Sequence, residues 1–240
     1  MGSSIFAPTG MQTIWKAIQD GYLRLIEPVA ALLVRRRINP NILTSIGTAC
    51  TVAGGLAFAT GHIMVAGWII GLTAIFDVLD GMVARRTNQS TVFGAFYDST
   101  LDRVADGALL GGIAWFFATD PVHHNPWVLG LALLGTVGTF LTSYTRARAE
   151  ALGIDAKVGV MQRAERVVIL SVPQAFFGLA LNGWVFIAVV AILSVTAWIT
   201  AVQRILFVRQ TTLTAAATPL HPPIESAPQA APIAPRRAQF

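Results

Sequence analysis

The chain has 240 residues, 54% of them hydrophobic and only 12% charged, with a mean hydropathy of +0.62. A water-soluble domain carries about twice that share of charge, so the composition excludes one and points to an integral membrane protein. The net charge of +5 follows membrane side rather than a single patch, which excludes nucleic acid as a partner, and the lone Cys50 excludes a disulfide framework or thiolate metal site.

In chain order, residues 11–37 place Trp15, Ile18, Tyr22, Leu25, Ile26, Val29 and Leu33 at helical spacing, with Lys16, Gln19, Asp20 and Arg24 largely off that face. This predicts an amphipathic helix at the membrane interface, bent at Pro28 and ending in Arg35–Arg37. Packing of the same face on the protein is the alternative. Six apolar segments follow, near 41–61, 64–84, 92–118, 127–148, 165–182 and 184–206, each long enough to cross about 30 Å of hydrocarbon as a helix. Their connections are short, at 61–62, 85–90, 119–126, 151–162 and 182–183, which predicts an all-α, up-and-down six-helix bundle. From Thr211 the sequence is rich in alanine and proline and loses its periodicity, as expected of a disordered tail. The expected organisation is therefore an N-terminal segment at 1–38, a six-helix transmembrane domain at 39–210 and a tail at 211–240.

Threading six spans puts all 17 Lys and Arg on one side or in the adjoining helix ends. The positive-inside rule makes that side cytoplasmic, with both termini there, and the membrane is then the cell (inner) membrane.

The stretch DVLDGMVARRTNQSTVFGAFYDSTLD, residues 77–102, is the costly part. An aspartate at the centre of a span costs about 2.5–3.5 kcal/mol on insertion scales, so four cost on the order of 10 kcal/mol before they repel one another. Asp77 and Asp80 share a helix face with Gly81 and Ala84, and Asp98 and Asp102 share one on the next helix. The short turn predicts these helices as antiparallel neighbours, with both carboxylate pairs roughly 10 Å below the surface and facing across the seam. Arg103 cannot balance four carboxylates. Hard divalent cations, Mg²⁺ or Mn²⁺, can, and four carboxylates suit a two-metal site for phosphoryl chemistry. Gly81, Ala84 and Gly94 leave a groove beside them, and Arg85 at its mouth can pair with a phosphate.

The spacing Asp77-x2-Asp80-Gly81-x2-Ala84-Arg85-x8-Gly94-x3-Asp98-x3-Asp102 resembles at every position the signature of the CDP-alcohol phosphotransferase family of membrane enzymes. The resemblance implies a six-helix fold, a homodimer, and a reaction in which an alcohol hydroxyl attacks the lipid-bearing β-phosphate of a CDP-lipid and releases CMP. It implies that Asp77, Asp80, Asp98 and Asp102 hold the metals, with Asp102 also the general base. It further implies that Gly81, Ala84, Arg85 and Gly94 line the cytidine diphosphate pocket. Pro40-Asn41-Ile42-Leu43-Thr44 opens the first span as a similar segment does in the family, so Asn41 and Thr44 are expected at the nucleotide. An N-cap and a lipid-facing hydroxyl are the plainer alternatives.

Arginines at 146, 148, 163, 166 and 204 collect at the cytoplasmic cavity mouth. Snorkelling to headgroups would explain some of them, whereas Arg146, Arg166 and Arg204 fall at basic positions similar to those of the branch that makes phosphatidylinositol phosphate. That resemblance implies CDP-diacylglycerol as donor and inositol phosphate as acceptor. The sequence departs from the branch in having Arg146 where lysine is common and Ala164 where proline is common, so glycerol 3-phosphate stays open as the acceptor. A cation-coupled transporter is the rival class. It would show mirrored halves or internal repeats, whereas all four aspartates lie on two consecutive helices.

Overall fold

The computed structural model describes residues 21, 26–87, 91–161 and 163–214. Residues 26–35 form α1, followed by α2 (Pro40–Ala59), α3 (Ile63–Arg86), α4 (Val92–Thr119), α5 (Pro126–Ala151), α6 (Arg163–Phe177) and α7 (Trp184–Thr214). No strand occurs among the described residues. The helix starts are written locally. Asn39 caps α2 by accepting from the Asn41 N–H with Pro40 in the first turn, Asn125 does the same for α5 before Pro126, and the Thr91 hydroxyl caps α4. Gly153, at φ +76°, takes the left-handed conformation that ends α5.

Only part of the predicted N-terminal helix lies within the described residues. There Ile26 and Ala30 are buried against Leu43, Leu79, Met82 and Val83, and Glu27 forms a two-pronged ion pair with Arg86 at 2.6 and 2.7 Å. The contact seen is thus with the bundle. At the other end, α7 runs four residues past the expected boundary at 210, to Thr214, and residues 215–240 lie outside the description.

Among the described residues, four helical stretches are long and apolar enough to cross a membrane: Pro40–Ala59, Ile63–Arg86, Pro126–Ala151 and Leu181–Leu213. The other two predicted spans differ for separate reasons. Helix α4 has the length, 28 residues, but Asp98, Asp102, Arg103 and Asp106 interrupt its apolar run. Helix α6 has only 15 residues, about 22 Å of rise.

The six helices α2–α7 close into a ring in the order α2, α3, α6, α7, α5, α4 and back to α2. Chain neighbours α3 and α4 do not pack on each other, because α2 lies between them. The expected seam between the two aspartate helices is therefore a gap bridged across the ring. Small residues cause this order. A Cβ at Gly55 would collide with the Ala108 carbonyl, and one at Gly112 with the Gly55 carbonyl, so α2 and α4 meet backbone to backbone. Gly67 brings α3 equally close to Gln174 and Ala175 of α6. Side chain to carbonyl bonds join α5 to α7: Ser194 donates to Leu131, Trp198 to Leu134 and Thr142 to Ala197, at 2.8–2.9 Å.

The ring has two unlike ends. The end bearing the 60–62, 120–125 and 178–183 turns is filled by Phe58, Phe116, Phe117 and Phe186, with ring centroids 5.1–6.1 Å apart. The basic end holds the starts of α2 and α4, the ends of α3, α5 and α7, and the charges. The connection predicted at 151–162 is more than a plain turn: its described part descends along α7. The Val158 carbonyl accepts from Arg204, Gly159 lies against Thr200, and the Met161 sulfur accepts from Thr196. From 204 to 196 is eight residues of helix, about 12 Å. The short helix α6 therefore begins well inside the bundle.

Candidate active site

Five of the six residues expected at the nucleotide line one cleft of about 190 Å³: Asn41, Thr44, Gly81, Ala84 and Gly94. Asp80 and Asp98 lie in its wall, and Pro40, Thr91 and Ala95 complete it. Thr44 is buried and donates to Asp80 Oδ2 at 2.8 Å, so its hydroxyl faces the site and not lipid. The cap of α2 is Asn39, which leaves the Asn41 side chain to the cleft. A Cβ at Gly94 would press on the Thr91 hydroxyl at 3.1 Å and on Asn41 Oδ1 at 3.4 Å, narrowing the opening. Arg85 stands outside the lining. Its guanidinium lies over Gly81, where Nη1 would be 3.3 Å from an added Cβ.

The carboxylates come together from both sides of α2. Asp80 is within electrostatic reach of Asp77 and Asp98, and Asp102 of Asp77, Asp98 and Asp106. What offsets them is Arg163, from the start of α6. Its Nη1 bonds Asp77 Oδ2 and its Nη2 bonds Asp102 Oδ1, both at 2.8 Å. Arg103 turns back to the Ser99 carbonyl of its own helix and stands 3.9 Å from Asp102. Among the described residues no three acidic, histidine or cysteine side chains meet at metal-binding distance of one point. The donor set nevertheless suits a hard cation, because carboxylates from two unpacked helices converge on one positive group, the guanidinium.

Each of the three arginines expected at the acceptor already has a partner. Arg146 bonds Glu150 at 2.8 Å on an exposed helix face. Arg166 lies 3.6 Å from Asp106, both side chains about 15% exposed. Arg204 is buried, donating to the Val158 carbonyl at 2.9 Å and to that of Thr142. Arg146 and Arg166 both lie within electrostatic reach of Arg204, so the structure brings the three together.

Residues 37–208 match the family model of the CDP-alcohol phosphatidyltransferases. The chain belongs to this family. It is 37% identical over 210 residues to a phosphatidylinositol phosphate synthase of Streptomyces avermitilis, covering 82% of this chain and 85% of that one. It is 34% identical over 187 residues to the archaetidylinositol phosphate synthase of Methanothermobacter thermautotrophicus, covering 78% and 90%. Among solved structures, the Mycobacterium tuberculosis phosphatidylinositol phosphate synthase with CDP-DAG bound matches with a TM-score of 0.70 at 32% identity, over 77% of this chain and 94% of that one. The same protein in complex with manganese and citrate matches with a TM-score of 0.69 at 32% identity, over 76% and 88%.

This CDP-alcohol phosphatidyltransferase, a membrane protein, has two site groups with no role among the sequence expectations. Arg163 carries the same signal as any basic residue at a span end, and only the descent of residues 158–161 delivers it to the aspartates. Asp106 does carry a legible signal, since it continues the Asp98, Asp102 spacing by one more turn.

Proposed function

We propose that this CDP-alcohol phosphatidyltransferase makes phosphatidylinositol phosphate, moving the phosphatidyl group of CDP-diacylglycerol to inositol phosphate and releasing CMP. The observation that carries the reading is a cleft lined by Asn41, Thr44, Gly81, Ala84 and Gly94, with Asp80 and Asp98 in its wall and Asp102 within electrostatic reach of Asp98. The names of the relatives support inositol phosphate over glycerol 3-phosphate as acceptor.

Asp77, Asp80, Asp98 and Asp102 would hold two divalent ions, Mg²⁺ or Mn²⁺. When bound, such ions neutralise the diphosphate and raise the reactivity of the attacking oxygen. The chain's own groups do the rest. The small residues at 81, 84 and 94 admit the cytidine diphosphate close to backbone, and Arg85 pairs with its phosphate charge at the rim. Arg146, Arg166 and Arg204 hold the acceptor's phosphate, which orients its hydroxyl toward the lipid phosphorus. Asp102 takes the hydroxyl proton as the new P–O bond forms and the bond to CMP breaks.

The same reading makes all six helices α2–α7 membrane-crossing, with residues 39–210 as the catalytic unit and α1 part of an interfacial helix. The arginine-rich end then faces the cytoplasm of the cell membrane, with both termini on that side, and the enzyme works as a homodimer.

The test is CMP release by purified protein in detergent with CDP-diacylglycerol and Mg²⁺ or Mn²⁺, offering inositol 1-phosphate, glycerol 3-phosphate, free inositol and serine separately. Release with inositol 1-phosphate alone is expected. Release only with glycerol 3-phosphate would replace the acceptor, and no metal dependence would remove the role given to the aspartates.

A further inference from the structure

Arg163 sits where the proposed reaction needs divalent ions. One guanidinium takes an oxygen of Asp77 on α3 and an oxygen of Asp102 on α4, at 2.8 Å each. A divalent ion shared by those carboxylates competes with the guanidinium for their oxygens and brings charge of the same sign. The two cations therefore exclude one another. The seat is also imperfect for arginine. Its Nε is buried with no hydrogen-bond partner, so the side chain meets two carboxylates at the expense of its third donor direction.

The position in the fold allows exchange. Arg163 is the first residue of α6 and is 31% exposed, so its side chain can swing out without unwinding a helix. Arg166, one turn further on, is a natural control. It is half as exposed and faces Asp106, which lies outside the four proposed ligands, so nothing competes for its carboxylate.

We infer that Arg163 is a tethered counter-ion of the active site: it joins Asp77 to Asp102 when no divalent ion is present, and divalent ions bind only by expelling it. The inference rests on the reading of the aspartates as metal ligands. Its consequence is that the protein's metal affinity is set by a competition inside the chain.

The experiment is direct Mn²⁺ binding, by the loss of the free-ion paramagnetic resonance signal, to full-length protein in detergent without substrates. Wild type is compared with R163Q, R163K, R166Q and D98N, each confirmed as folded by gel filtration. R163Q is expected to bind Mn²⁺ about tenfold more tightly than wild type, since removing a competitor returns the coupling energy to the metal. R163K should fall between them, because a point charge cannot grip both carboxylates. R166Q should gain clearly less than R163Q. Unchanged or weaker binding in R163Q overturns the inference, as does an equal gain in R166Q, which would mean plain loss of local charge. D98N separates the two levels: if it binds Mn²⁺ like wild type, the aspartate site itself fails and the exchange fails with it.

Discussion

At one end of the ring, Phe58, Phe116, Phe117 and Phe186 are each no more than 1% exposed, and glycines bring α2 onto α4 and α3 onto α6. At the other, the same helices carry carboxylates and guanidiniums around a cleft, and Arg163 bridges the gap between α3 and α4. The first end is closed by dispersion and backbone contact, which tolerate little change of shape. The second is held by charge pairs, which on the proposed reading exchange partners for substrate or ion. The aromatic end thus fixes the helix positions, and the charged end is free to spend its polar groups on chemistry.

The sharpest break in that comparison is Asp98→Asn. Losing a carboxylate needed for charge stabilisation should reduce CMP release by at least about a thousandfold, with the folded yield preserved; near-normal turnover would show that the charged end is not the reactive one. Gly112→Val attacks the opposite end, since its Cβ already meets the Gly55 carbonyl. It should destabilise the protein by about 3 kcal/mol, read as a lower unfolding midpoint in detergent. An unchanged midpoint would mean that the aromatic end yields easily. Asp106→Asn lies between the two ends. It should raise the KM for the phosphorylated acceptor about tenfold by releasing Arg166, leave kcat and the CDP-lipid KM nearly unchanged, and be rescued by Asp106→Glu. A matching rise in both KM values would assign Asp106 a general structural role. The smallest effect belongs to Phe186→Leu, which should cost about 1 kcal/mol of stability and leave turnover intact.

The cleft was legible because the spacing of 77, 80, 81 and 84, and of 94, 98 and 102, puts each set on one helix face whatever the packing. The neighbour order was not. A short 85–90 turn argues for contact between α3 and α4, and nothing local announces that Gly55 and Gly112 will draw α2 in between. The 154–161 segment has the polarity of a surface loop, and its fit depends on Gly159 meeting Thr200 some forty residues away. Arg163 was hidden for the same reason. Its partner at Asp77 is distant in sequence, and a basic residue at a span end already has a sufficient explanation in the membrane potential and headgroups. Asp106 was legible as spacing, but the family signature stops at Asp102.

The descent of residues 158–161 along α7 also bears on how a water-borne reactant meets a membrane-borne one. By carrying backbone carbonyls and the start of α6 about 12 Å inward, the chain draws the polar boundary down to the aspartates. In the proposed reaction the dissolved partner would then travel inward along protein, and the lipid would keep its tails in hydrocarbon while its phosphate reacts.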